Sequence, residues 1–186
     1  MHNGSTYWNI ASNHAASGSG GYYPANSLSF SYNGSANGVY ITSSNVLMGA
    51  GWNDYAEYRK TRVEIEPGRC VREVGDDTLE LTTKRLERGC EIVSDTFGFA
   101  IGKTEDTKTP TAATGRVLAY VFEGRAPAAA HIGWPVCSGP DGTVSIMTEE
   151  EEEKYPSRII GTISAVPDYE VWHGIEVKGR IWIRIK

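Results

Sequence analysis

With 186 residues, 40% of them hydrophobic and 10% aromatic, the chain has apolar material for one domain and a tail, or for two small domains. A net charge of -5 argues against a nucleic-acid surface, which needs clustered Lys and Arg to displace counterions from phosphate, and equally against an anionic lipid surface. No apolar run approaches the roughly 18 residues that span a bilayer, and no secretory leader is recognised.

Residues 1–53 contain no Asp, Glu, Lys or Arg; Asp54 is the first, and every other residue of these types follows it. The uncharged segment is rich in Ser, Asn and Gly, with aromatics interleaved. Leu28, Phe30 and Tyr32 alternate with Ser29, Ser31 and Asn33, which is the period of a strand. Val39 and Ile41 repeat the pattern after Asn37-Gly38, a good hairpin turn pair. Two readings fit. One is a disordered polar linker, as Ser/Gly/Asn-rich sequence often is. The other is a β-rich fibre stalk of three-fold symmetry, where a charge near the axis would meet two copies of itself while uncharged polar side chains still hydrogen-bond. The expected organisation is a stalk segment over 1–53 and a compact β domain over 54–186.

The charged segment reads as all-β with at most one short helix. Strands are expected over Arg62–Glu66, Thr78–Thr83, around Ile92, over Phe97–Ile101 and over Arg116–Phe122, separated by Gly, Pro and Asp clusters. Val117, Ala119 and Val121 point one way while Leu118, Tyr120 and Phe122 point the other, so this strand should be central and buried on both faces. Thr148 can cap a helix over Glu149–Tyr155, whose glutamates complement the helix dipole before Pro156 stops it. Its acidic run reads as a solvated helix turn rather than a cation site, because consecutive helix positions point in different directions. The final strand is explicit: Ile181, Ile183 and Ile185 alternate with Trp182, Arg184 and Lys186. The odd, widely spaced Cys70, Cys90 and Cys137 form neither a disulfide framework nor a zinc motif and read as buried free thiols.

At the charge boundary the chain reads Gly51-Trp52-Asn53-Asp54-Tyr55-Ala56-Glu57-Tyr58. The Asp-Tyr-Ala-Glu core resembles the opening of the C-terminal chaperone domain of phage pre-neck appendage proteins, a self-cleaving glutamic-peptidase family. The downstream stretches VSDTFGFAIG (93–102), GRVLAY (115–120), GWPVCSGPDGTV (133–144), YPSRIIGTISAVPDYEVW (155–172) and GRIWIRI (179–185) are similar in pattern. The resemblance implies an intramolecular chaperone at the end of a tail fibre or tail spike. It implies a homotrimer continuous with the upstream fibre, assembled in a bacterial cytoplasm and located in the virion tail. It also implies autoproteolysis just before Asp54, although Asn53 stands where the family has a small hydroxyl residue. No cofactor and no metal is implied.

Peptide hydrolysis needs an attacking oxygen, a base for its proton and an acid for the leaving amine. On the resemblance, Glu57 is the general base for a water, Asp54 supplies the leaving amine and a second carboxyl, and Arg59 or Lys60 steadies developing negative charge. In a strand, positions three apart point to opposite faces, so a turn, a bulge or a neighbouring subunit must bring Glu57 to the Asn53–Asp54 bond. The alternative is that Asp54–Lys60 is simply the first polar strand of the head.

Other constellations read as structural. Cys137 with His131 has the residue types of a thiol nucleophile and base, but nothing in the sequence orients the pair. Ser94-Asp95 suits a local turn bond. Trp52, Trp134, Trp172 and Trp182 suit either a core or a sugar platform, and His14 and His173 have no evident partner. The competing functions are a permanent fibre tip that binds a host-surface glycan or protein, and a purely structural decoration.

Overall fold

The computed structural model describes the backbone of residues 8–13, 27–32, 39–42 and 46–48, and describes 53–122, 124 and 127–186 in full. The chain divides into two compact units, Met1–Trp52 and Asn53–Lys186.

In the first unit, β1 (Trp8–Asn13), β2 (Ser27–Tyr32), β3 (Val39–Thr42) and β4 (Val46–Met48) form an antiparallel sheet in sequential order. The alternating segments of the sequence are the strands: Phe30 pairs with Val39 and Leu28 with Ile41. Asn37-Gly38 lies outside the described residues.

The second unit is also mainly β. Its strands are β5 (Asp54–Thr61), β6 (Cys70–Gly75), β7 (Thr78–Leu81), β8 (Cys90–Ile92), β9 (Phe97–Ile101), β10 (Thr107–Tyr120), β11 (Pro135–Ser138), β12 (Val144–Ile146), β13 (Gly161–Ala165) and β16 (Arg180–Ile185). A two-stranded ribbon is formed by β14 (Val171–Trp172) and β15 (Ile175–Glu176). The main sheet runs β12-β11-β13-β16-β10-β5-β7-β6-β8, with β9 added parallel to the start of β5. It curls, and two isolated bridges tie its ends back to the middle: Val93, just after β8, to Thr111 of β10, and Val121, just after β10, to Val144 of β12. The long strand β10 is therefore common to both halves. A register shift between Ala112 and Thr114, followed by Gly115 at φ +103°, bends it between them.

The expected central strand is part of β10. Val117, Leu118 and Ala119 are all buried, because β16 pairs along one edge and apolar layers cover both faces; β5 pairs with the earlier part of β10, from Thr107 to Gly115. One core joins Val117 and Ala119 to Val136, Val144, Ile163, Ile181 and Ile183; Leu118 packs on the other face with Val177 and Trp182. The closing strand β16 lies between β10 and β13, and Lys186 N–H donates to the Ile160 carbonyl.

The expected helix is α1 (Glu149–Lys154). Thr148 Oγ1 accepts from Glu151 N–H while Glu151 Oε2 accepts from Thr148 N–H, so two otherwise orphaned donors are satisfied at once. Glu151 also pairs with Arg85 at 2.7 Å, fixing the helix to the loop after β7.

Two expectations are corrected. Arg62–Glu66 is a connection between β5 and β6 rather than a strand: Val63 is 68% exposed, and only Ile65 of the alternating apolar pair is buried. Of the three thiols, Cys70 and Cys137 are buried, whereas Cys90 on the short strand β8 is half-buried.

Candidate functional site

Asn53 and Asp54 enter the second unit as part of its sheet. Asn53 N–H donates to the Thr96 carbonyl at 3.1 Å, and the Asn53 carbonyl accepts from Arg116 N–H at 2.9 Å. The Arg116 guanidinium donates to Asn53 Oδ1 at 2.9 Å. Asn53, the first residue of the second unit, is thus held on both sides, through its N–H by the turn before β9 and through its carbonyl by the bend of β10.

The Asp54 side chain turns inward and is 8% exposed. Its Oδ1 accepts from Thr96 Oγ1 at 2.7 Å, while Oδ2 is buried with no partner among the described residues. Thr96 is itself oriented by its neighbour: Thr96 N–H donates to Ser94 Oγ, the local turn bond expected of Ser94. Burial pushes the Asp54 carboxyl up to about 6; the Thr96 and Ser94 hydroxyls oppose that rise and the neighbouring Asp95 adds to it. A carboxyl that titrates near neutrality beside a peptide nitrogen suits proton transfer.

Glu57 lies elsewhere. Strand β5 is regular from Asp54 onward, so Asp54 and Ala56 face inward, whereas Glu57 follows Tyr55 onto the other face. Glu57 is opposite Ile101 in the parallel pairing with β9, and Tyr55 is opposite Phe99, with ring centroids 5.0 Å apart. Phe99 and Ile101 are 43% and 45% exposed, and no other described strand pairs with β9. Glu57 therefore stands within an exposed apolar face, beside a cleft of about 290 Å³ that it shares with Arg59, Glu91 and Thr111. It is separated from its own Asn53–Asp54 bond by three strand residues, roughly 10 Å along the chain, and by the thickness of the sheet.

The two basic residues chosen from sequence are not at the bond. The Arg59 guanidinium pairs with Glu91 at 2.6 Å and Asp77 at 2.8 Å, and Lys60 lies at the far end of β5 opposite Thr107. The cation that does reach Asn53 is Arg116. No local motif marks it, because Arg116 is 63 positions away and arrives only through strand pairing. Gly115 leaves room for that pairing: a Cβ there would lie 2.7 Å from Asp54 Cα.

The remaining candidates have structural partners. Cys137 Sγ donates to the Ser145 carbonyl inside the core, and burial pushes its thiol up, which opposes nucleophilic chemistry. His131 packs on Trp134 and accepts the Ala128 N–H, so the pair does not form a thiol–imidazole dyad. Asp95 makes an ion pair with the buried Arg180. Trp172 and Trp182 pack edge to face at 5.0 Å, and Trp182 Nε1 donates to the Tyr169 hydroxyl. His173 packs edge-on against Trp172. Trp52 and His14 lie outside the described residues. Among the described residues there is no group of three or more His, Cys, Asp and Glu placed to hold a metal ion, and no helix long and apolar enough to cross a membrane. No known protein family, curated protein or solved structure matches the chain.

Proposed function

We propose that residues 54–186 are the folding and assembly head at the end of a fibrous phage appendage. Three copies associate through it, and Asn53–Asp54 is where the head releases itself from the upstream stalk. The position of Glu57 carries this reading. Its carboxylate stands on an exposed apolar face with Tyr55, Phe99 and Ile101, turned away from the bond in its own chain. A second copy seated on that face receives Glu57 as a base, so cleavage follows completed assembly. The charge-free segment before Asp54 supports a stalk packed close to a three-fold axis.

In the proposed step, a water oxygen adds to the Asn53 carbonyl carbon while a neighbour's Glu57 takes the water proton. The Arg116 N–H already on the Asn53 carbonyl steadies the oxyanion. The C–N bond then breaks, and the Asp54 amine leaves with the proton of the Asp54 carboxyl. The products are an Asn53 carboxyl and a free Asp54 amine.

One observation favours a second reading, a permanent tip that binds a host-surface receptor or glycan: the Asn53–Asp54 peptide is already hydrogen-bonded into the sheet. Intact mass and sedimentation equilibrium of the purified full chain separate the two. Self-release gives a trimer and a fragment running from Asp54 to Lys186. A trimer of uncut chains supports the permanent tip, and a stable monomer at micromolar concentration overturns both.

A further inference from the structure

We propose that the cleft beside Trp134 is a binding site for a small organic cation, an ammonium group carrying apolar carbon. The cleft has a volume of about 230 Å³ and is lined by Gly133, Trp134, Pro135, Met147, Glu149 and Glu152. Trp134 is 43% exposed, whereas the other indoles of the second unit, Trp172 and Trp182, are packed against each other.

The indole is held open rather than left loose. His131 packs against it edge to face, with centroids 5.1 Å apart and planes at 72°, and His131 is itself fixed by the Ala128 N–H at 2.9 Å. The Trp134 backbone donates to the His131 carbonyl and accepts from Ile163 N–H, so it is pinned to the turn and to β13. Met147 N–H donates to the Pro135 carbonyl, which fixes the wall between indole and helix. A site of this kind has little ordering cost left to meet on binding.

Charge selects the ligand. Glu149 and Glu152 are three apart on α1 and so neighbour one another on the helix side that lines the cleft. Among the described residues, Arg85 pairs with Glu151, and Lys154 lies over the face of Tyr155 at 5.5 Å. Among the described residues, neither Glu149 nor Glu152 has an ion-pair partner. An anion is repelled here, and a neutral ligand leaves both carboxylates uncompensated. An alkylammonium satisfies the carboxylates with its charge, the indole through cation–π attraction and the half-buried Pro135 with its methyl groups.

The test uses the full chain, choline chloride, and the uncharged isostere of choline, 3,3-dimethylbutan-1-ol. The indole Nε1–H resonance of Trp134 is identified by its loss in Trp134→Phe. Choline is expected to shift that resonance saturably, and the isostere to bind at least about tenfold more weakly. Glu149→Gln with Glu152→Gln is expected to weaken choline binding about tenfold while the chain stays folded with only a small drop in thermal midpoint, since both side chains are exposed and give up only their share of the helix-dipole interaction. Equal shifts from choline and its isostere overturn the proposal without any variant being needed. Undiminished choline binding in the double variant, or no saturable shift in the unaltered chain, overturns it equally.

Discussion

Gly115 lies against the Asn53–Asp54 peptide so closely that a Cβ at Gly115 would fall 2.7 Å from Asp54 Cα and closer still to the Asn53 carbonyl oxygen. Its φ of +103° adds a second obstacle to any other residue. Gly115→Ala is therefore expected to lose about 3 kcal/mol or more, combining left-handed strain with a backbone clash. Gly133→Ala separates the two effects. Gly133 also has positive φ, +89°, but nothing lies within 4 Å of its Cβ direction, so only strain of about 1 kcal/mol is expected. Urea denaturation of the two variants measures the difference.

The raised Asp54 carboxyl makes stability depend on pH. Its folded value is about 6 against an ordinary 3.8, so between these values the folded chain binds more proton than the unfolded one. Its contribution is most favourable below about pH 4, falls as pH rises to about 6, and levels off above 7 at a cost of roughly 3 kcal/mol. Asp54→Asn removes that dependence while still accepting from Thr96. It is expected to be more stable than the unaltered chain by about 1–3 kcal/mol at pH 8 and close to it at pH 4. Denaturation midpoints at the two pH values check both sign and size.

Arg180 is a buried cation whose ion-pair partner among the described residues is Asp95. Its side chain is 4% exposed, its Nη1 meets both Asp95 oxygens at 2.9 and 3.0 Å, and its guanidinium lies 5.7 Å from the centre of the Tyr120 ring. Asp95→Asn leaves that charge without its counterion and is expected to cost about 2–3 kcal/mol, less than for a fully dry pair because Asp95 is 25% exposed. Arg180→Met together with Asp95→Asn should cost less than the two single losses added, because no charge is left stranded. A double-mutant cycle by urea denaturation reads the coupling.

Phe99 and Ile101 test assembly through β9. Covering each large apolar side chain contributes roughly 1.5–3 kcal/mol, so Phe99→Ser with Ile101→Lys is expected to shift the proposed trimer to monomer. The head should stay folded, since both residues are exposed and absent from the apolar cores. Sedimentation equilibrium and circular dichroism measure the two properties. An unchanged trimer places the association surface elsewhere.

The strands were legible wherever side-chain alternation met a pairing partner, as at Val117–Ala119 along β16 and at Ile181–Ile183 between β10 and β13. The capped helix was legible because Thr148 and Glu151 act within one turn. Arg62–Glu66 has the same alternation but no neighbouring strand to pair with, so its period alone could not make it a strand. At the junction, Asn53 and Asp54 could be singled out from the charge boundary and the motif. The raised carboxyl, the Thr96 donor and the Arg116 contacts could not, because each depends on residues 42 or 63 positions away. The opposed faces of Asp54 and Glu57 followed from strand period alone and are what the geometry displays.

Those opposed faces lead to the last prediction, that the base for self-release comes from another chain. A regular β5 keeps Glu57 from its own Asn53–Asp54 bond, so Glu57→Gln alone should leave that variant uncut in every copy. When a tagged Glu57→Gln chain is refolded with excess unaltered chain, mixed trimers place an intact Glu57 against the tagged bond. The tagged chain should then be cut before Asp54, and intact mass spectrometry of the tagged species reads it directly. If the unaltered chain is cut and the tagged variant never is, Glu57 acts within its own chain and the start of β5 must leave the sheet to allow it. A third outcome is cutting of Glu57→Gln with no partner present. That points to the Asn53 side-chain nitrogen attacking its own carbonyl carbon, forming a succinimide and expelling the Asp54 amine. Asn53→Gln slows that route, because its ring closure is one atom longer, and leaves Glu57-dependent hydrolysis available. The pair of variants thus separates a water-driven cut supplied between chains from a cut driven by Asn53 itself.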